Sequence, residues 1–262
     1  TMASGDDLWP PWSPAAAFGR GPRRGGPPRG RARAGATLSR AEIVDAAIAV
    51  ADAEGPEAVS MRRIAQVLRA GTMSLYWHVA GKEHLLDLML DALVGEVQVP
   101  APSGNWRADL RAYALSQRRS LLRHRWVTDY IGGRPALGPN TIRAAERSMA
   151  LLDKLDLDAA TTMNIVQAVN TYVLGGVLRE FQELQVQHEQ AQGQLAGGGS
   201  AQLRAAAADW AARLRSAGGF GHFLQIFDQG LDPDSAETRD QRFEFGLDCL
   251  LGGIEAAVRP GT

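Results

Sequence analysis

Residues 60–82 read SMRRIAQVLRAGTMSLYWHVAGK, and the stretch divides at Gly71 into two short amphipathic segments. The first fits a helix over residues 60–67, with Ile64, Ala65 and Leu68 along one side and Arg62, Arg63, Gln66 and Arg69 along the other. Gly71 breaks the chain, Thr72 is expected to cap the next helix by bonding a free backbone N–H, and residues 73–79 supply barely two turns. A helix so short is unstable alone in water. Leu75, Val79 and part of Trp77 must therefore pack on the preceding helix, which leaves Thr72, Met73, Ser74, Tyr76 and His78 at the exposed end and flank. Two such helices joined by a tight turn predict a helix-turn-helix unit, whose second helix offers its N-terminal residues to a DNA major groove.

The flanking sequence agrees. Ser39 with Glu42 has the spacing of a capping box, and Leu38 with Ile43 can form the hydrophobic staple across it. Ile43, Ala47, Val50 and Ala51 then mark one buried face of a helix that stops at Gly55-Pro56. Val59, Ser60 and Ile64 repeat the staple and cap at the start of the next helix. Beyond the aromatic segment, Ala80-Gly81 turns the chain into a longer helix over residues 82–97, with Leu85, Leu86, Met89, Leu90 and Leu93 on its apolar side.

The run TMSLYWHVAGKEHLLDLM, preceded by VSMRRIAQVL and LSRAEIVDAAIAVADAEG, resembles the N-terminal domain of the tetracycline-repressor (TetR) family over residues 38–97. That resemblance implies that Arg62 and Lys82 meet DNA phosphates on either side of the groove. Thr72, Met73 and Ser74 would face base edges, the hydroxyls donating or accepting and Met73 packing on a thymine methyl. Tyr76 and His78 would reach phosphates through their polar tips, and Trp77 is equally suited to a contact or a structural role. The competing reading of Leu75-Tyr76-Trp77 is an aromatic core segment. One departure stands out: Arg69 occupies a turn position where the family usually has glycine. Either Arg69 accepts a left-handed backbone, or Gly71 takes over the turn.

Composition adds bounds. The chain has 262 residues, a formal net charge of −1 and one cysteine, Cys249. No global field draws it to nucleic acid, so DNA affinity must rest on a few placed cations. A lone cysteine excludes an internal disulfide and fits a reducing compartment, and no apolar run is long enough to span a membrane. Arg23-Arg24 is followed by Gly-Gly-Pro-Pro-Arg where an export signal requires an apolar region. The expected location is cytoplasmic. Residues 1–36, rich in Gly, Pro, Ala and Arg, are expected to form a disordered arm. Its six arginines suit a basic tether along phosphates or the minor groove; a tolerated extension without a role fits the same composition.

Pro100, Pro102 and Gly104 set a boundary between a DNA-binding domain at 37–98 and a second helical domain at 99–262. Helices are expected at 106–123, 126–131, 140–155, 159–187 (capped by Asp158), 201–216, 220–227 and 236–258, with a mobile Gln/Gly-rich loop at 188–200. No period-2 strand pattern is present. The fold class is all-α: a three-helix helix-turn-helix domain plus a larger helical ligand-binding and dimerisation domain.

A short recognition helix reads too few base pairs to choose one genomic site, which argues for a homodimer with recognition helices about 34–36 Å apart on a palindromic operator. The second half of the 159–187 helix and the helix at 243–258 are the candidate dimer surfaces, each with a Gly-Gly pair (Gly175-Gly176, Gly252-Gly253) that permits close approach. Both helices also suit a monomer core; the resemblance implies an intersubunit four-helix bundle. Asn164, Gln167, Asn170 and Thr171 lie within an apolar helix and need partners if buried, which a small hydrophobic or amphipathic effector can supply. Tyr113, Trp126, Tyr130 and Met149 are further candidates for the lining, as are Phe181, Phe223 and Phe227, and ordinary core contacts explain any one of them as well. The resemblance adds that such a domain binds an effector and changes the spacing of the DNA modules through the connecting helix.

Enzyme readings lack their parts. None of the five histidines has Glu-x-x-His or His-Glu-x-x-His spacing, Gly81-Lys82 is followed by Glu83 rather than Ser or Thr, and no Gly-x-Ser-x-Gly elbow occurs. Cys249 reads as a core residue rather than a nucleophile. No catalytic residue, metal ligand or cofactor is expected. The sequence thus points to a TetR-like transcriptional regulator, a repressor relieved by its effector. The alternative is a helical small-molecule binding protein whose basic domain no longer reads sequence.

Overall fold

The computed structural model describes Trp9 and residues 38–130, 138–191, 200–229 and 235–258; for 190–191, 200–207 and Phe227 it describes the backbone alone. Among these residues the regular elements are all helical. Helix α1 is Arg40–Glu54, α2 Met61–Val67, α3 Thr72–Tyr76, α4 Lys82–Gly95, α5 Trp106–Arg123 and α6 Pro139–Ala150. The 33-residue helix α7, Ala159–Ala191, is followed by α8 (Ser200–Ala217), α9 (Gly221–Asp228) and α10 (Arg239–Val258). Short 3-10 turns occupy Pro56–Ala58, Arg125–Asp129, Asp153–Leu155 and Ala236–Thr238. The chain divides into two compact units, Thr1–Val173 and Leu174–Arg259, the division falling within α7.

Capping sets the helix starts. Ser39 Oγ accepts the Glu42 N–H at 3.2 Å while the Glu42 carboxylate accepts the Ser39 N–H at 2.7 Å. This reciprocal box holds the Glu42 carboxyl below its ordinary range, chiefly through the backbone hydrogen bond. Ser60 caps α2 through the Arg63 N–H, and Asp158 caps α7 through the Thr161 N–H at 2.9 Å and its hydroxyl at 2.6 Å.

The core of the first unit joins α1, α2, α3 and α4 around Ile43, Ala47, Ile64, Leu75, Val79 and Met89, each fully buried. It also takes in Trp126 and Val127 from the turn after α5. Trp9, inside the segment expected to be a disordered arm, is buried against Leu88 of α4; the rest of residues 1–36 lies outside the described residues.

Three expectations change. The helix expected at 140–155 ends at Ala150, and the chain leaves it through a 3-10 turn and a left-handed Asp156. Residues 188–191, expected to open a mobile loop, continue α7, because the Gln- and Glu-rich sequence there keeps good helix formers with no breaker; 192–199 lie outside the described residues. Cys249 is exposed rather than a core residue.

Candidate nucleic-acid interface

Helix α2 ends in a Schellman motif. The Arg69 N–H bonds the Gln66 carbonyl at 3.2 Å and the Ala70 N–H bonds the Ala65 carbonyl at 2.9 Å, with Arg69 left-handed at φ 51. Of the two readings of the turn, Arg69 therefore takes the strain, and Gly71 has ordinary extended torsions, φ −73 and ψ 138. Gly71 is the N-cap of α3 and its carbonyl accepts the Ser74 N–H at 2.9 Å. The expectation that Thr72 caps α3 is corrected: Thr72 is the first helical residue, and a capping side chain must stand on a residue still outside the helix.

Only five residues are helical here, and two anchors hold them. Leu75 and Val79 are fully buried against the core. Met73 is 73% exposed, Tyr76 43% and Trp77 38%; Ser74 is exposed, while Thr72 and His78 are half-buried. The residues of this segment expected to face DNA are thus accessible, Met73, Ser74, Tyr76 and Trp77 exposed and Thr72 and His78 in part. The aromatic-core reading fails for Tyr76 and Trp77 and holds for Leu75.

The cations divide into two sets. Arg40 Nε donates to the His78 carbonyl at 3.2 Å and so ties α1 to the end of the recognition segment. Arg63 pairs with Glu54 at 2.6 Å, which lowers the glutamate pKa and raises that of the guanidinium through their shared hydrogen bond. Arg62, Arg69 and Lys82 are exposed, and among the described residues none makes a hydrogen bond or ion pair. In sequence these three bracket α3.

Two side chains missed by sequence reasoning fix the helix-turn-helix unit to the helices beyond it. His124, buried, places Nδ1 2.9 Å from an Asp52 carboxylate oxygen and Nε2 3.1 Å from one of Glu96. Asp91 of α4 is buried and caps α6 across space, accepting the Asn140 N–H at 3.1 Å and the Thr141 N–H at 2.9 Å. A β-carbon on Gly138 would lie 2.2 Å from Asp91 Cγ, so only glycine permits this approach.

The effector candidates scatter. Trp126 and Tyr130, expected beside an effector, belong instead to the N-terminal core. The Trp126 indole N–H donates to Asp52 at 2.8 Å, and Tyr130 meets its ring edge-on at 6.2 Å. Burial of an indole requires a partner for its N–H, and α1 supplies one. Asn164, Gln167 and Thr171 are exposed, so the premise that burial obliges them to find partners does not hold. Met149 and Phe181 are half-buried, Phe223 packs edge-on against Trp210 while remaining 44% exposed, and the side chain of Phe227 lies outside the described residues. Tyr113 and Asn170 do come together. The Tyr113 hydroxyl donates to Asn170 Oδ1 at 3.2 Å, and Gln117 Nε2 donates to Tyr113 Oη at 2.8 Å and Asn170 Oδ1 at 2.9 Å. Burial pushes the Tyr113 hydroxyl above its usual range against the pull of these partners. Gln117, at the centre, was not singled out by sequence, and its Oε1 is buried without a partner among the described residues.

An exposed, core-anchored short helix bracketed by unpaired cations, with a larger helical region after it in the chain, defines a DNA-binding regulator of helix-turn-helix type. Comparison with known proteins narrows this. Residues 43–89 match the family model for bacterial regulatory proteins, tetR family, and residues 99–258 that for the tetracyclin repressor-like C-terminal domain. The chain is 32% identical over 242 residues to the HTH-type transcriptional repressor DrrR1 of Streptomyces coeruleorubidus, covering 92% of this chain and 83% of that one. It is 39% identical over 154 residues to an HTH-type transcriptional regulator of Saccharopolyspora erythraea, over 58% of this chain and 65% of that protein. Among solved structures, apo ActR of Streptomyces coelicolor aligns with a TM-score of 0.65 and 31% identity over 86% of this chain and 98% of its own; ActR has also been solved in complex with actinorhodin. The chain belongs to the TetR family of transcriptional regulators. Members are DNA-binding regulators, not enzymes, and among the described residues no helix is long and apolar enough to cross a membrane.

Proposed function

We propose that the chain is a cytoplasmic repressor that binds a palindromic operator as a homodimer and leaves it when a small hydrophobic or amphipathic effector binds the helical domain. One observation carries the DNA-facing part: the only exposed cations of residues 38–97 without a partner among the described residues are Arg62, Arg69 and Lys82, which bracket α3 in sequence. Arg62 and Lys82 hold phosphates in this reading, Thr72, Met73 and Ser74 face bases, Tyr76 and His78 reach phosphates, and Trp77 lies against the sugar-phosphate edge. Arg69 absorbs the left-handed turn while α3 keeps its exposed tip, so nothing favours the alternative of a domain that has lost sequence reading.

The dimer reading is supported by two apolar stripes within the second unit. On α10, Phe245, Cys249, Gly253 and Ala256 are exposed at helical spacing, and on α7 so are Gly175, Leu178 and Val186. Gly175 and Gly253 have open space around a built β-carbon, while Gly176 faces inward, 3.0 Å from the Phe243 ring. The effector reading is supported by the buried, unpaired Gln117 Oε1 beside Tyr113 and Asn170, an acceptor that a ligand hydroxyl or amide satisfies, and by the ligand complexes of the relative ActR. Selection of duplexes from a random library by the full chain tests the proposal. It should return an inverted repeat bound by two chains; an asymmetric consensus bound by one chain contradicts it.

A further inference from the structure

We propose that Arg69, the left-handed residue of the turn, is a DNA phosphate contact in its own right, so that each subunit holds the backbone with three cations around α3 rather than two. The proposal rests on the reading that α3 enters the major groove. Three observations carry it. Arg69 stands at the C′ position of a Schellman motif at φ 51, where a β-carbon is disfavoured and glycine is free. No compensation is found among the described residues: the side chain is exposed, and its guanidinium has neither a hydrogen-bond partner nor a carboxylate there. Its location is the third. Thr72 is three positions further on, so the Arg69 Cα lies within about 11 Å of the first helical residue of α3, and a guanidinium adds several ångströms of reach. The major groove is about 12 Å wide between its phosphate rows. A helix seated there brings the turn just ahead of it to the groove edge, where a planar, permanently charged fork matches phosphate oxygens. Arg40 and Arg63, by contrast, are already engaged by His78 and Glu54. The charge at position 69 is thus kept free at a position that disfavours any side chain.

The test compares Arg69→Asn, which keeps tolerance of a left-handed backbone and removes the charge, with Arg69→Lys, which keeps the charge. Both are made in the full chain and checked to be no less stable than wild type in thermal unfolding before use. Binding is titrated over a range of salt against a duplex selected by the wild-type chain and against a random-sequence duplex. Arg69→Asn should weaken both complexes about tenfold, and the slope of log K against log salt should become shallower by about 0.9 for each subunit bound; Arg69→Lys should keep most of the slope. Wild-type slopes in Arg69→Asn overturn the proposal, as does equal weakening by both variants with the slope unchanged, which assigns position 69 to turn geometry alone. A wild-type chain without salt-dependent binding to either duplex overturns the interface itself, and a wild-type chain that binds while Arg69→Asn matches it overturns only the third contact.

Discussion

A β-carbon at position 69 is strained by the same torsions that close the Schellman motif, so Arg69→Gly should raise stability by about 0.5–1 kcal/mol in denaturant titration while lowering DNA affinity. A variant no more stable than wild type would mean that the turn relaxes around arginine. The strain at position 69 was half legible in the sequence: an arginine at a glycine position is visible in a string of letters, whereas the absence of a partner for it among the described residues is not. Met73, Ser74 and Tyr76 could be placed on the surface because the spacing of Leu75 and Val79 fixes which side of a short helix is buried. Trp126 was misplaced for the converse reason. It lies in a 3-10 turn without a period of its own, and only the tertiary fold brings it to Asp52. Gln117 escaped notice because one glutamine among the arginines and serines of α5 carries no local signal of burial.

Helix starts were legible and helix ends less so, since caps are written in side chains while several ends depend on what packs beyond them. The capping box of α1 makes a prediction in pH. Glu42 has its folded pKa lowered from 4.5, so its contribution is present at higher pH and is lost as the pH falls through the folded value. Glu42→Gln should therefore lower the melting temperature near neutrality and flatten its decline below about pH 4.5; parallel acid limbs would show that the box is not maintained in solution. The cap that Asp91 supplies to α6 joins elements 49 and 50 residues apart, which no local pattern records. Asp91→Ala leaves the first N–H groups of α6 unpaired and should cost about 1–3 kcal/mol. Gly138→Ala evicts the same carboxylate, so the two losses measured by chemical denaturation should be strongly non-additive. Additive losses would place the cap elsewhere.

At the scale of the molecule, the sequence made the helix-turn-helix unit plain because local capping, patterning and a diagnostic motif coincide there. The candidate effector residues stayed vague because they are spread along several helices, with Asn164, Gln167 and Thr171 exposed. Symmetric binding needs a second copy, and Phe245, 72% exposed on α10, is the residue through which to remove it. Phe245→Glu should yield monomers in sedimentation that retain their helical content and lose operator affinity by far more than one subunit's contacts; a dimer of wild-type strength would move the interface to another face. The DNA-reading tip itself is tested most directly by the combined Ser74→Ala and Tyr76→Ala variant, titrated against a duplex selected by the wild-type chain and against a random-sequence duplex of equal length. Both side chains are exposed, so folding and association should be unchanged. Loss of the preference for the selected duplex, with salt-dependent binding to the random duplex preserved, is the expected result; an undiminished preference would mean that α3 does not read the bases.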